Sequence, residues 1–409
     1  MEDWSEEGLS MRSLSVSNFL ARRLVTRSGW GLNIMAILMI VLVYLNINFT
    51  SSLLNGFINT VNSKLITTQT GNVVVISKQD KIIKNADKLI SDIRNIKGVE
   101  GVTGTKALSA EITRGSEKSV AEVSGINAEN YGDVFVTPKN MIEGSFLTKD
   151  DKDKIVLGAQ IAGADIPKLE LYSDSLKNVH AGDKVTVNYQ NGVSKEYTVK
   201  GIFLNDFFES DLRSFITNDE FGKVLPSAGI EAINIKIAKG TSEQSVIDDI
   251  RSQRGDLDFR KWQERAGYIK GFTDTLIIVN RILRFVAFLV AAVTIFIVTY
   301  VDLVNKRRQI GIERAIGITS TTIMFSYMIR AFFYTIIGSL IGAGVFIAGV
   351  VPLERAYPFK IPYGKVFLSI DYKFMFVIAG VLIVIGLISA LLPAWRTIRI
   401  SIIDAIWGN

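Results

Sequence analysis

The sequence of 409 residues contains no cysteine, so no part of it is stapled by disulfides, thiolate metal sites are excluded, and cysteine usage says nothing about the redox compartment. Histidine occurs once, as His180. A single imidazole cannot build a His-based metal cluster, and its place beside a turn reads as a surface or strand-end position. A G-x-x-x-x-G-K-[ST] phosphate loop is also missing, so nucleotide-driven work would need an ATPase on a separate chain. Asp150, Asp151 and Asp153 are interleaved with lysine and read as solvated loop, and nothing suggests a paired catalytic geometry. Catalytic, cofactor-binding and metal-ligating residues are therefore all expected to be absent. The net charge of +6 is modest. Its basic residues gather beside apolar runs, which topology explains better than nucleic-acid binding.

What is present is long apolar sequence. A mean hydropathy of +0.29, with 48% hydrophobic and 21% charged residues, divides the chain between two solvents. Charge-free runs occupy Trp30 to Phe49, Phe285 to Val301, Ala331 to Leu353 and Phe374 to Leu392, each near the length a helix needs to cross hydrocarbon. A cation at the centre of such a helix costs about 2.5 to 3.5 kcal/mol, which sets the expected edges at Arg27, Arg284, Asp302, Arg330 and Lys373. The first run lacks a clear small-x-small cleavage site and is read as a retained span.

Basic short loops fix the expected orientation. Arg22, Arg23 and Arg27, then Lys306 to Arg314, then Arg396 and Arg399 belong on the cytoplasmic side, which leaves Lys64 to Tyr268 outside. Val16, Phe19, Leu20 and Leu24 share one face of a segment suited to the inner membrane interface, with Arg22, Arg23, Arg27 and Arg396 as interface anchors. The helical period continues past the first span through Leu53, Phe57, Val61 and Leu65, and recurs in Tyr268, Phe272, Leu276 and Leu283, predicting two stalks. Gly338 and Gly342 form a small-xxx-small pair for helix packing.

The external segment opens as strand Asn72 to Ser77, a helix bearing Ile83, Leu89 and Ile93, and a strand over Val99 to Thr113. The same order recurs at Ala232 to Ile237, Glu243 to Arg251 and Leu257 to Trp262, so the two units are expected to join in one α/β layer. A β-rich insert separates them. It includes Ser119 to Ile126, Ile155 to Leu157, and a hairpin of Lys184 to Tyr189 and Ser194 to Phe203 around Asn191-Gly192.

Lys306-Arg307-Arg308-Gln309-Ile310-Gly311-Ile312-Glu313-Arg314-Ala315-Ile316-Gly317 stands between two apolar runs. The spacing predicts a short helix with a polar face and an apolar face of Ile310, Ile312, Ala315 and Ile316, suited to docking on another protein.

Arg307 to Gly317, with Thr319 to Ile323, resembles the coupling helix of the ABC permease family that includes lipoprotein-releasing, macrolide-efflux and cell-division transporters. The family pattern reads roughly R-R-x-E-I-G-I-x-R-A-I-G, and Gln309 stands here where Glu is usual. Ile142 to Phe146 with Ile155 to Gly158, Ala181 to Val185, Lys261 to Glu264 and Pro393-Ala394-Trp395-Arg396 are further points of likeness. The tight Asn191-Gly192 turn resembles the partner without the long proline-bearing hook. The resemblance implies four transmembrane helices plus a large α/β extracytoplasmic domain, and ATPase coupling through Arg307, Arg308, Ile310, Gly311, Glu313, Arg314, Ala315 and Gly317. It further implies ABC ATPase subunits carrying ATP and Mg, a second permease subunit, contact with membrane lipid, and a lipoprotein or periplasmic carrier. Expected alternatives are peptide or drug efflux, and signalling to a cell-wall hydrolase. The expected layout is 1–28 amphipathic, 29–50 first span, 51–70 stalk, 71–262 external domain with its insert near 115–230, and 263–284 second stalk. It continues with 285–304 second span, 305–322 coupling segment, 323–353 third span, 354–373 outer loop, 374–393 fourth span and 394–409 C-terminal helix.

Overall fold

A computed structural model describes residues 30–163, 171, 173–227, 229–265, 267–361 and 364–398. The expected interface segment with Arg22, Arg23 and Arg27, residues 165–170 and 172 of the 165–178 insertion, and Arg399 with the C-terminal helix lie outside the described residues. The chain divides into one unit of Met1–Phe57, Asp274–Pro358 and Phe367–Asn409, and a second of Ile58–Thr273 and Phe359–Val366.

Helices make up the first unit: α1 (Trp30–Leu65), which continues into the second unit, and further on the other long helices of the chain. Among the described residues, four helical stretches are long and apolar enough to cross a membrane: Asn33–Thr70, Asp274–Asn305, Ser320–Ala356 and Tyr372–Arg396. Ile40, Tyr44 and Ile47 meet Ala291, Ile295, Ala331, Met375 and Leu382 in the core. Leu289, Leu340 and Phe376 point outward at 53%, 67% and 80% exposure, the apolar rim expected where hydrocarbon is the solvent. The last helix runs from Tyr372 to Ile398 with Pro393 inside it, whereas Pro393 was expected to end the span. Membrane helices tolerate proline because neighbouring groups take up the freed carbonyl.

The second unit holds β1 (Val73–Ser77), α2 (Ala86–Arg94), β2 (Val99–Arg114), β3 (Glu117–Ile126), β4 (Met141–Gly144), β5 (Lys154–Gly158), β6 (Lys184–Tyr189), β7 (Ser194–Phe203), β8 (Arg213–Thr217), α3 (Asn218–Val224), β9 (Ala232–Ile237), α4 (Glu243–Gln253) and β10 (Leu257–Lys261). β1 lies between β10 and β9, antiparallel to both, and β9 pairs with the first half of β2. The two expected units thus interleave in one layer. Ile83 just before α2, Leu89 and Ile93 on it, and Val246, Ile247 and Ile250 on α4 cover its face.

Beyond that layer the insert closes on itself. β2 pairs β3, β3 pairs β8, β8 pairs β5, β5 pairs β7, β7 pairs β6, and β6 returns to the end of β2. Inward residues such as Ile112, Val123, Leu157, Val187 and Val199 fill this small barrel. Alternating burial along β6 and the Asn191-Gly192 turn, with Gly192 at φ +86°, follow the sequence pattern. A strand pair β11 (Phe359–Ile361) and β12 (Gly364–Val366) occupies the loop after the third span, where no secondary structure was anticipated.

The loop joining β7 to β8 is locked by one buried carboxylate. Asp211 accepts the backbone N–H of Asn205 at 2.7 Å and of Phe207 at 3.1 Å. Burial pushes its pKa up to about 7 despite those donors. An unfolded Asp releases its proton near 3.8, so the folded chain binds the extra proton between these values. This contribution is complete below the lower value and is lost as pH rises through the upper one. The melting temperature is therefore expected to fall from pH 5 to pH 8, by the equivalent of on the order of 3 kcal/mol from this group. Asp211→Asn should flatten that slope and lower the melting temperature throughout, because the two N–H groups use different carboxylate oxygens and the amide nitrogen that replaces one of them cannot accept. Scanning calorimetry of the whole protein across this pH range checks it.

Candidate functional site

The segment singled out by its charge forms a capped helix. α5 (Gly267–Asn305) ends at a single non-helical residue, Lys306, with φ −101° and ψ 9°, and α6 (Arg307–Ala315) begins at once. Gly317, at φ +97°, stops it. Ile318 N–H bonds Glu313 O at 3.0 Å and Gly317 N–H bonds Arg314 O at 3.1 Å, a Schellman closure that needs the left-handed conformation glycine supplies. Thr319 then accepts from Thr322 N–H and caps α7 (Ser320–Val345). The path between the two spans is fixed by its own caps.

α6 does not carry its aliphatic residues on one face. Ile310 is buried with Leu303, Ile323, Tyr327 and Ala394, and Gly311 beside it is buried too. Ile312 and Ile316 point away from this cluster at 49% and 74% exposure. At about 100° per residue, positions 308, 312, 315 and 316 fall within an arc of about 100° centred opposite Ile310. The expected single apolar face is thus corrected to two: Ile310 anchors the helix inward, while Ile312, Ala315 and Ile316, with Arg308, form an outward stripe. Glu313 accepts from Gln309 at 2.8 Å along the helix, so the unusual Gln309 occupies the acid next to Arg314.

Beneath α6 lies a polar knot. Asp302 on α5 takes Arg330 of α7 on Oδ2, and its Oδ1 is 3.3 Å from the Lys306 Nζ. Arg330 Nη2 donates to Asn33 of α1 at 2.6 Å, its Nε donates to Tyr334, and the Tyr334 hydroxyl donates to Asn33 at 2.5 Å. The side chains of Asp302 and Arg330 are 4% and 3% exposed. The sequence marks both as span edges, Arg330 also falling within the expected third span, and the structure buries the two together. They lie within helices because each neutralises the other, and a compensated charge does not pay the insertion cost of a lone one. Opposite charges on consecutive spans were the available signal; hydropathy weighs each residue singly and so passes over it.

The MacB-like periplasmic core domain matches residues 34–253, and the FtsX-like permease C-terminal region matches residues 281–402. The chain is an ABC transporter permease of the MacB/FtsX type. An uncharacterized ABC transporter permease of Methanocaldococcus jannaschii, MJ1507, is 24% identical over 336 residues, 79% of either chain. The macrolide export ATP-binding/permease protein MacB of Campylobacter fetus is 25% identical over 190 residues, 45% of this chain and 29% of that one. The crystal structure of the periplasmic region of MacB from Actinobacillus actinomycetemcomitans aligns with 49% of this chain and 94% of that one, at 16% identity and a TM-score of 0.34.

In this permease the other expected site residues take separate places. A Cβ at Gly338 would stand 2.6 Å from Ile40 Cγ2, and one at Gly342 would stand 2.9 Å from Tyr44 Cδ1, so both glycines face α1 of the same chain. Arg396 is exposed near the end of α8 (Tyr372–Ile398). His180 is exposed, with Nδ1 3.1 Å from Glu143 and Nε2 3.0 Å from Asn178. Between α1 and α5 opens a cavity of about 660 Å³, lined by apolar side chains including Leu42, Phe49, Leu283 and Val350, with Asn46 among them.

Proposed function

We propose that this permease couples ATP hydrolysis on separate ABC ATPase subunits to movements of its extracytoplasmic domain, and that its substrate is amphiphilic or lipid-linked, such as a lipoprotein. The outward stripe of α6 carries the reading. Ile312, Ala315 and Ile316 beside Arg308 offer an aliphatic anchor with a basic rim, the form in which an amphipathic helix enters a groove on a partner. The basic short loops support a cytoplasmic position for α6 and both chain ends. Two permease chains and two ATPase chains, the latter holding ATP and Mg, make the working complex. ATP-driven closure of the ATPases pushes α6, tilts α5, and rearranges the external domain; substrate is lifted from the outer leaflet or the outer face without having to cross. The open apolar groove between α1 and α5, with Asn46 among its aliphatic lining, is compatible with an amphiphile. A second reading, export of drug-like molecules, is favoured by the likeness to MacB.

Affinity co-purification from native membranes in mild detergent, with mass identification of partners, tests the coupling. A soluble ATPase should accompany the wild type and be lost from an Ile312→Glu, Ile316→Glu variant, with a smaller loss from Glu313→Ala, Arg314→Ala. Absence of any ATPase from the wild type with nucleotide present would remove the motor and defeat the reading.

A further inference from the structure

Between α5 and α6 only Lys306 leaves helical geometry. The backbone ladder bridges the break, Lys306 N–H to Asp302 O at 3.0 Å and Ile310 N–H to Lys306 O at 2.9 Å, so the two dihedrals of one residue set the angle at which α6 leaves α5. Single residues at element ends are where hinge motion concentrates. The side chain of this same residue reaches back one turn along α5 to pair with Asp302, so a change in the Lys306 φ angle moves it relative to that carboxylate. Asp302 is in turn bound to Arg330, whose remaining guanidinium nitrogens are taken by Asn33 and Tyr334. A planar guanidinium with all three nitrogens engaged has little freedom to rotate. Its orientation depends jointly on α1, α5 and α7.

We infer that the Lys306–Asp302 ion pair is a hinge restraint that sets the angle between α5 and α6, and that Arg330 transmits that angle to α1 and α7. Stability alone does not account for such a knot, since apolar residues of similar volume commonly serve as well as a buried ion pair or better. What the charges add is selection of one arrangement. A stroke that turns α6 about Lys306 draws the ammonium from Asp302, and Arg330 then sees a different carboxylate. By reciprocity, whatever displaces Asn33 on α1 alters the ease of turning α6. Lys306, Asp302 and Arg330 are positioning residues. They act on the helix that docks the ATPase in the reading above, but the angle they set exists without one.

The absence of cysteine permits clean labelling. Nitroxides on Leu289→Cys and Gln309→Cys, both exposed positions outside the docking stripe, report the α5–α6 angle by pulsed electron resonance on the purified whole permease in lipid nanodiscs, without ATPase. The unsubstituted background should give one narrow distance. Lys306→Met leaves Asp302 paired with Arg330, so the bundle stays folded, and the distribution should become about twofold broader or split in two. Lys306→Arg should narrow it again, and Arg281→Met, an exposed basic position elsewhere on α5, should leave it unchanged. An unchanged width in Lys306→Met, or equal broadening in Arg281→Met, would overturn the inference. If an ATPase co-purifies, ATP with vanadate should shift the background distance and fail to give one shifted population in Lys306→Met. If none does, the docking reading fails and the hinge result stands by itself.

Discussion

Arg330→Met should cost about 3 to 5 kcal/mol, the range for removing one partner of a buried ion pair. Asp302 would remain inside the bundle with Lys306 and the Tyr327 side chain beside its carboxylate but no guanidinium, and Asn33 would keep only the Tyr334 hydroxyl of the two donors described. Against a total margin of about 5 to 15 kcal/mol, this is enough to deplete the folded protein in membranes. Monodisperse yield and melting temperature in detergent are expected to fall sharply. Adding Asp302→Leu to Arg330→Met should recover much of the loss, because an apolar pair replaces an orphaned charge. A double variant no better than the single one would show that the carboxylate is not what Arg330 neutralises. In the recovered double variant, any remaining defect in transport separates positioning from folding.

The second large effect is at Gly338. A Cβ there would meet both Cγ2 and Cβ of Ile40, at 2.6 and 2.7 Å, and the second of these cannot move without its backbone. Gly338→Val should therefore force α7 from α1 and cost about 3 kcal/mol or more, at the upper end for overpacking. Gly344→Ala, with nothing within 4 Å of its added Cβ, should be tolerated. Ile40→Ala should partly rescue Gly338→Val, since it removes the atoms beyond Cβ. Thermal melts of the three variants decide this. If Gly338→Val alters only the pairing of permease chains and Ile40→Ala gives no rescue, the glycine serves a contact between subunits.

Local pattern carried much of this fold. Two β-α-β orders, the alternation of Lys184 to Tyr189 and the Asn191-Gly192 turn each describe neighbours in sequence, and their physics is local. Closure of the barrel is not. β3 meets β8 in parallel across Glu122 to Ile126 and Arg213 to Thr217, a pairing that no turn in the sequence dictates. The strand pair β11 and β12 has three residues on either side, too few for alternation to register. In the site, the basic glycine-bearing segment marked α6, but apolar spacing alone could not divide Ile310 from Ile312 because both are isoleucines in a helix of nine residues. Burial by Leu303, Tyr327 and Ala394 made that distinction. The Arg330–Asp302 pairing escaped for a related reason: a one-dimensional scan prices a cation without seeing the carboxylate of another span.

The placement of β1 beside β10 has a mechanical consequence. Val73, where the chain enters the external sheet, is opposite Lys261, where it leaves, and the antiparallel ladder runs from there to Ser77 opposite Leu257. Hydrogen bonds in such a ladder lie across the strands. Tension that separates the two ends therefore loads one rung at a time, as in a zipper, instead of sharing the load over the ladder as shear would. β10 ends the strand order and pairs with β1 alone, so it is the strand that would peel. The domain is thus poorly suited to being stretched between its two attachments and well suited to being carried by them moving together.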